Sequence, residues 1–235
     1  MLPRPPVRDS FFFVRHRAGR SAPFSGAATS SRKLRLPAAR HRRALQETCM
    51  RIIAGACRGR TLHTVTGPGY RPAMGRVRES LFSMLEARGV VWGAVRVLDV
   101  FAGSGSLGFE ALSRGAVFAD FVEKDHKAAE CLRKNAANLG LADRCAIHEE
   151  DALRVTARRP AQPCQLICID PPYGADLFKP ALKNIMRQGW LADDGFLVAE
   201  VEKGLPLRAD AQYDLRLEAE RIYGNTRILV WVKNV

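Results

Sequence analysis

From residue 95 onward the sequence alternates short apolar runs with segments of helical spacing, and this alternation constrains the fold more than any other feature. Strands are predicted at 95–101, 117–123, 144–148, 165–170, 195–201, 213–219 and 227–233. Helices are predicted at 106–114, 126–139, 152–158 and 177–188. Such alternation produces crossover connections and an α/β fold, with a mostly parallel sheet between two layers of helices. No helix separates the last two strands, which predicts an antiparallel pair at one edge.

The chain ahead of this region divides into two further segments. The stretch RIIAGACRGRTLHTV, residues 51–65, predicts two short strands joined by a glycine turn, and the apolar spacing that follows predicts a helix ending before Gly89. We therefore expect an extension at 1–49, a hairpin and helix at 50–89, and the α/β domain at 90–235. If the protein binds RNA, the second segment supplies the candidate phosphate contacts: Arg51, Arg58, Arg60, Arg71, Arg76 and Arg78.

Most of the positive charge lies in residues 1–49. The formal net charge of the chain is +13, and this extension, with eleven Lys or Arg against two acids, accounts for +9 of it. The extension has several prolines and no sustained apolar period, which predicts disorder. Its explanation stays open between a basic arm for RNA phosphates, a transit-like presequence, and translation from a start codon upstream of Met50. We favour the last.

An acid and a glycine-rich loop follow the first predicted strand of the domain. Asp99 precedes GSGSLG at 103–108, which matches the dinucleotide fingerprint but places an acid where it would repel a diphosphate. Glu123 ends the second strand, where a carboxylate can accept both ribose hydroxyls. Asp151 follows the third strand, in a position to meet an adenine edge. Each acid taken alone is equally consistent with a helix N-cap or a surface charge.

Taken together, these acids fit a ligand with adenosine, free ribose hydroxyls and a positive centre but no phosphate. That ligand is S-adenosylmethionine. The predicted cofactor site consists of Asp99, Phe101, Ala102, Gly103, Ser104, Gly105, Glu123, Lys124, Asp151 and Ala152.

The fourth strand of the domain ends in Asp-Pro-Pro-Tyr. Two consecutive prolines remove two backbone donors, so the chain has to leave the sheet. The carbonyls of Asp170 and Pro171 and the Asp170 carboxylate then form a compact group of acceptors beside the Tyr173 ring. This group can hold the two protons of an exocyclic amine in line with a methyl group while the ring stacks on the base. The predicted catalytic residues are therefore Asp170, Pro171, Pro172 and Tyr173; an ordinary turn with a half-buried aromatic residue is the alternative.

The sequence resembles the RsmD family of 16S ribosomal RNA guanine-N2 methyltransferases in five segments: RIIAGACRGRTL, RPAMGRVRESLF, LDVFAGSGSLGFEALSRGA, FVEKD and IDPPY. The resemblance extends through most of residues 51–235. It implies a class I, Rossmann-like methyltransferase fold with an N-terminal extension, S-adenosylmethionine as cofactor, and a guanine of small-subunit rRNA as substrate. The family's functional positions fall on Asp99, Gly103, Gly105, Glu123, Asp151 and the turn 170–173, and its Arg-Pro…Arg-x-Arg-Glu segment on Arg71, Arg76, Arg78 and Glu79.

We expect a cytoplasmic monomer that acts on 16S rRNA or the small ribosomal subunit, with no membrane span and no metal site. The longest apolar run near the N-terminus has four residues, and the six cysteines include no Cys-x-x-Cys pair. Three alternatives stay open: an adenine-N6 methyltransferase on DNA or RNA, a dehydrogenase that uses the glycine fingerprint for NAD, and a non-catalytic RNA-binding assembly factor.

Overall fold

The computed structural model describes residues 50–64, 74–207 and 212–234. The strands are β1 Met50–Arg51, β2 Thr61–Leu62, β3 Arg96–Val100, β4 Phe118–Val122, β5 Cys145–His148, β6 Cys164–Ile169, β7 Leu191–Glu202, β8 Leu215–Tyr223 and β9 Thr226–Lys233. The helices are α1 Met74–Ala87, α2 Ser106–Arg114, α3 His126–Leu139, α4 Ala152–Thr156 and α5 Phe178–Gln188. The predicted extension at 1–49 and the predicted RNA contact Arg71 lie outside the described residues. Within those residues, no helix is long and apolar enough to cross a membrane.

Seven strands form one sheet in the order β5-β4-β3-β6-β7-β9-β8. The five strands from β3 to β7 run parallel to one another, whereas β9 is antiparallel to both β7 and β8. The predicted parallel sheet with an antiparallel edge is therefore confirmed. Strand β7 begins earlier than the predicted residue 195, because Leu191 pairs with Cys164 ahead of a register shift between β6 and β7.

Helices cover both faces of this sheet and bury two hydrophobic cores. Along β3 the side chains alternate between the cores, since Val97 belongs to one and Leu98 to the other. The first core contains residues of the β1–β2 hairpin and of α1, α2 and α3. The second contains residues of α4 and α5. The segment before residue 90 thus shares its hydrophobic core with the α/β sheet.

A buried carboxylate on α2 holds the hairpin in place. The Glu110 side chain is fully buried and accepts the backbone N–H groups of Ile53 at 2.8 Å and Ala54 at 3.0 Å. It also pairs with Arg114 Nε at 3.0 Å and lies 3.9 Å from Arg78 Nε. A buried charge is destabilising without partners, and these contacts supply them. Through the same contacts Glu110 links α1 and α2 to the hairpin.

A buried amide on α3 links the hairpin to the loop that follows β3. Asn135 Oδ1 accepts the His63 N–H at 2.8 Å, while its Nδ2 donates to the carbonyls of His63 at 2.9 Å and Ser104 at 3.1 Å. The hairpin turn also lies against α2, since a Cβ at Gly55 would collide with the carbonyl of Ser113. The hairpin therefore supports the loop at which the cofactor is predicted to bind.

Candidate active site

The loop between β3 and α2 combines a left-handed backbone with one glycine that borders open space. Three of its residues have positive φ, at +63° for Phe101, +54° for Gly103 and +77° for Gly105. A Cβ at Gly108 would collide with the ring of Phe121, so this glycine lets α2 approach the sheet closely. A Cβ at Gly103, in contrast, would meet nothing within 4 Å. The backbone at Gly103 therefore borders open space.

Asp99 lies at the base of this loop. The residue is 2% exposed, and its Oδ2 accepts the Gly108 N–H at 2.9 Å. Burial raises the pKa of Asp99 to about 7, the charge of Glu123 adds to the rise, and the hydrogen bond from Gly108 opposes it. Asp99 thus fastens the first turn of α2 to β3. A direct contact of Asp99 with the cofactor stays a prediction.

Glu123 connects the end of β4 to the same loop. Its Oε2 accepts the Gly103 N–H at 2.9 Å, and its Oε1 accepts the Asp125 N–H at 2.8 Å. The structure therefore brings together Glu123 and the glycine loop, which were predicted to share one ligand. A carboxylate oxygen can accept more than one hydrogen bond, so Glu123 retains capacity for the ribose hydroxyls. The neighbouring Lys124 is exposed.

Asp151 caps α4. Its Oδ1 accepts the N–H groups of Leu153 at 2.9 Å and Arg154 at 3.2 Å, which is the N-cap role that the sequence left open for it. Both hydrogen bonds use the same oxygen. Ala152, the first residue of the helix, is buried. Contacts of these two residues with adenine stay predictions.

The Asp-Pro-Pro-Tyr turn leaves the sheet directly after β6, next to the loop after β3. The Asp170 N–H donates to the carbonyl of Val100 at 3.3 Å, which ties the turn to the end of β3. Of the two prolines that follow, the first is buried and the second exposed. The Tyr173 hydroxyl lies 2.7 Å from Thr226 Oγ1 on β9, while the side chain is 42% exposed. The hydroxyl contact thus ties Tyr173 to β9.

A small cavity lies beside Asp170, on the face of the sheet covered by α1 and α2. Its polar lining comes from Asp170, Glu200, Arg78 and Ser106. Its apolar lining comes from Val77, Leu81, Leu107, Ile169, Val198 and Ile228. An apolar cavity with a few convergent polar groups is typical of a ligand site.

Glu200 shares this cavity with Asp170 because of the strand register. Ile169 of β6 pairs with Ala199 of β7, so the next residue of each strand lies at the same level and on the same face. Burial raises the pKa of Asp170 well above its ordinary range, and the charges of Glu200 and Asp99 raise it further. The site thus holds a carboxyl group whose ionised form is disfavoured.

The predicted RNA contacts divide into exposed and engaged residues. Arg51, Arg58 and Arg76 have exposed side chains. Arg60 is also exposed, but its guanidinium donates to the carbonyls of Asn138 and Leu139 at the C-terminal end of α3. Arg60 therefore has a structural contact that competes with binding RNA.

Arg78 requires a correction. The sequence placed it among the surface contacts for RNA, but it is 4% exposed, donates to the carbonyl of Arg51 and lies 3.9 Å from Glu110. Packing of α1 against α2 carries it into the interior, where it lines the cavity beside Asp170. In the part of the chain that is described, no three His, Cys, Asp or Glu side chains form a group that could hold a metal ion.

Comparison with known proteins decides the family. Residues 50–232 match the family model described as Conserved hypothetical protein 95. The "Ribosomal RNA small subunit methyltransferase D" of Escherichia coli K12 is 40% identical over 159 residues, which cover 67% of this chain and 78% of that protein. The chain belongs to the RsmD family.

Two further relatives support this assignment over most of the domain. The "Putative rRNA methyltransferase YlbH" of Bacillus subtilis is 36% identical over 186 residues, covering 78% of this chain and 99% of that protein. A solved structure described as "Putative methyltransferase yhhF from Escherichia coli" superposes with a TM-score of 0.70 at 33% identity, covering 80% of this chain and 99% of the other. With the strand order above, the RsmD-family chain has the Rossmann-like class I methyltransferase fold.

Two buried or cavity-lining acids of this RsmD-family chain were not predicted from the sequence. Glu200 had a visible signal, because it is an acid within the apolar run FLVAEV at 196–201. Glu110 had a weaker one, an acid between Phe109 and Ala111 on the apolar side of α2. Neither signal identifies the partners, which come from elements far away in the sequence.

Proposed function

We propose that this RsmD-family protein transfers the methyl group of S-adenosylmethionine to the exocyclic N2 amine of a guanine in small-subunit rRNA. The observation that carries the proposal is the Asp-Pro-Pro-Tyr turn fastened beside the glycine loop, with the Asp170 carboxyl lining a small cavity next to it. The names of the relatives support rRNA as the substrate class.

The residues present fit the cofactor. Gly103 opens onto free space, so the loop can approach adenosine closely. Glu123 would bind the ribose hydroxyls, the unused oxygen of Asp151 would face the adenine amine, and Ala152 would contact the ring beside it. A group of acids at this edge of the sheet favours a cationic ligand over a diphosphate. The cofactor supplies an electrophilic methyl group.

On the substrate side, Asp170 and the carbonyl of Pro171 accept the two protons of the guanine N2 amine. The amine is a weak nucleophile because its lone pair is delocalised into the ring. Holding both N–H groups orients the lone pair toward the methyl group, so positioning and electrostatics supply most of the rate enhancement. After transfer the nitrogen loses one proton, which passes to Asp170 or to water. Tyr173, anchored through its hydroxyl to Thr226, stacks on the base.

The exposed arginines of the hairpin and α1 supply the docking surface in this proposal. Arg51, Arg58 and Arg76 would contact rRNA phosphates, which fixes the orientation of the RNA without reading its sequence. A chain that starts at Met50 is expected to retain methyl transfer. Its loss at low salt, with the domain folded and the cofactor still bound, would assign RNA binding to residues 1–49.

The deciding experiment incubates the protein with labelled S-adenosylmethionine and small ribosomal subunits that lack the modification, and then maps the methylated nucleotide. Label on the N2 of one guanine is the expected result. Label on an adenine N6 would establish the alternative acceptor. If the protein binds rRNA but labels neither subunits nor free rRNA, it is a non-catalytic assembly factor.

A further inference from the structure

A second cavity, of about 230 Å³, lies on the face of the sheet that α4 and α5 cover. The loop 158–162 lines it and leads into the amino end of β6, whereas the Asp-Pro-Pro-Tyr turn leaves the carboxyl end of the same strand. A strand of six residues is about 20 Å long. The cavity is therefore separate from the candidate active site. Its lining includes Arg96, Asp120, His148, Arg158, Arg159 and Trp190.

The charges around this cavity favour an anion. Asp120 is shared, because its Oδ2 lies 3.4 Å from Arg96 Nη2 and its Oδ1 lies 2.9 Å from His148 Nε2. Arg158 pairs with the neighbouring acid Glu150. Three guanidinium groups thus stand against two carboxylates, so the excess positive charge lies with Arg159, and protonation of His148 would add to it.

The loop after α4 also offers hydrogen-bond donors. Arg158 uses one N–H of each terminal nitrogen for Glu150, and a guanidinium has five N–H groups, so three of them stay available. The adjacent Arg159 is exposed at the rim of the cavity. Two neighbouring guanidinium groups with planar, forked donors match the oxygens of a phosphate.

An apolar wall lies beside these donors. Trp190 and Val155 line the cavity, and both belong to the second hydrophobic core. The indole Nε1 donates to the carbonyls of Thr156 at 3.2 Å and Arg158 at 2.8 Å. These two hydrogen bonds fix the indole and hold the backbone at Arg158, so the wall and the donors keep a constant relative position.

The size of the cavity restricts the ligand. Its volume exceeds the roughly 150 Å³ of an engineered cavity that binds benzene, so it can hold one ring. It is smaller than the roughly 300–1,000 Å³ of sites that enclose a whole drug-sized molecule. A nucleotide combines a flat ring with an anionic phosphate, and bases pack readily against aromatic side chains.

We propose that this cavity is a second binding site, which takes a nucleotide. Arg158 and Arg159 hold the phosphate at the rim, while the base lies against Trp190 and Val155. The nucleotide is either a free one or a unit of an RNA chain. Binding of a nucleotide here is independent of the proposed function, and only its origin in rRNA rests on it.

The first experiment measures three probes by isothermal titration at constant ionic strength: uridine monophosphate, uridine and inorganic phosphate. Uridine monophosphate contains neither the proposed target base nor the adenosine of the cofactor, so it does not report on the candidate active site. It should bind at least about tenfold more tightly than uridine, because charged hydrogen bonds to the phosphate are gained. Inorganic phosphate should bind more weakly than the nucleotide, because it lacks the contact with the apolar wall.

The second experiment removes one guanidinium at a time. Arg159→Gln should weaken uridine monophosphate about ten- to hundredfold and leave uridine unchanged. The matched control is Arg216→Gln, which removes an exposed arginine that is paired with Glu218 on β8, at the opposite edge of the sheet. It should change the affinity less than about twofold. Both side chains lie at the surface, so both variants should fold.

The source of the nucleotide follows from the salt dependence of binding to small-subunit rRNA. If the site takes a unit of rRNA, Arg159→Gln should flatten the slope of log affinity against log salt by about 0.7–0.9 relative to Arg216→Gln. Equal slopes, together with weakened uridine monophosphate, identify a site for a free nucleotide.

Three results would overturn the inference. Uridine monophosphate that binds no more tightly than uridine shows that the phosphate is not recognised. Equal losses in Arg159→Gln and Arg216→Gln show a general charge effect. A flatter rRNA slope without tight binding of uridine monophosphate shows a surface phosphate contact in place of a cavity site. None of these bears on methyl transfer, which the labelling experiment tests separately.

Discussion

The acids at the carboxyl edge of the sheet form two groups that are used differently. Three acids, one within β3 and one after each of β4 and β5, accept hydrogen bonds from backbone N–H groups at distances of 2.8–3.2 Å: Asp99, Glu123 and Asp151. On β6 and β7, Asp170 and Glu200 line a cavity together, and the pKa of Asp170 lies well above its ordinary range. The first group fixes the shape of loops, whereas the second places two carboxyl groups on one side of the sheet.

The two groups of acids should therefore contribute differently to the stability of the protein. An acid that holds backbone donors contributes to the fold and shapes the site indirectly, whereas buried like charges destabilise the empty protein. Glu110 is the extreme case of the first kind, since it is fully buried and binds the hairpin, Arg78 and Arg114. Removing acids from the two groups should therefore have opposite effects on stability, and the following predictions test this.

The largest effect is expected for Glu110→Ala. The change leaves Arg78 and Arg114 buried without their shared carboxylate and frees two N–H groups of the hairpin, so the free energy of unfolding should fall by about 3–5 kcal/mol. Urea denaturation followed by circular dichroism measures it. Glu130→Ala, which removes a half-exposed acid of α3, is the control. A loss below about 1 kcal/mol would show that the hairpin is held mainly by apolar contacts.

Asp170→Ala should lower the rate of methyl transfer about 10²- to 10³-fold, because a group that orients the amine in the transition state is lost. Affinity for S-adenosylmethionine should stay within a few-fold, and the free energy of unfolding should not fall, because a destabilising buried carboxyl is removed. Rapid-quench kinetics and calorimetric titration give the first two quantities. Parallel loss of cofactor binding would place Asp170 at the cofactor and contradict the division into two groups.

Asp99 belongs to the first group but has a raised pKa, so its effect depends on pH. The folded state keeps a proton on Asp99 up to about pH 7, whereas the unfolded chain releases it near pH 4, so this group makes stability fall as pH rises between these values. Between pH 5 and pH 8 the decrease in the free energy of unfolding should be smaller in Asp99→Asn by about 2–3 kcal/mol. Equal pH dependence in both proteins would mean that the Asp99 carboxyl is ionised throughout this range.

Glu123→Ala should weaken the binding of S-adenosylmethionine by about 1–3 kcal/mol, because hydrogen bonds to the ribose are lost. It should also remove the acceptor of the Gly103 N–H. Glu123→Gln keeps an acceptor for the Gly103 N–H and should weaken the cofactor less. Isothermal titration at constant ionic strength measures both variants. An unchanged dissociation constant in the alanine variant would remove Glu123 from the cofactor site.

The smallest effect concerns the arginines. Arg58→Ala should flatten the slope of log affinity for rRNA against log salt by about 0.7–0.9, because one phosphate contact is lost. Arg60→Ala should mainly lower the free energy of unfolding, since its guanidinium binds the end of α3. Filter binding at a series of salt concentrations compares the two. Equal slopes for Arg58→Ala and the unaltered protein would show that Arg58 makes no phosphate contact and that rRNA binds at another surface.

Local signals predicted much of the fold. The helices α2 and α3 begin and end at the predicted residues, because Gly105, Gly115, Asp125 and Gly140 mark their ends in the sequence itself. The antiparallel edge followed from the missing helix between β8 and β9. Strand β8 extends to Tyr223, beyond the predicted residue 219, since its pairing with β9 continues to the turn at Gly224.

The sequence by itself determined the strand–helix order, the sheet, the glycine loop and the acidic turn after β6, because these depend on residues that are neighbours in the chain. The tertiary structure alone decided which acids hold backbone donors and which line a cavity together. The Glu110 carboxylate meets backbone 57 residues away, α1 carries Arg78 into the interior, and the register of β6 with β7 places Glu200 beside Asp170. Such long-range pairings are fixed by packing, and a linear sequence states the residues without stating which of them meet.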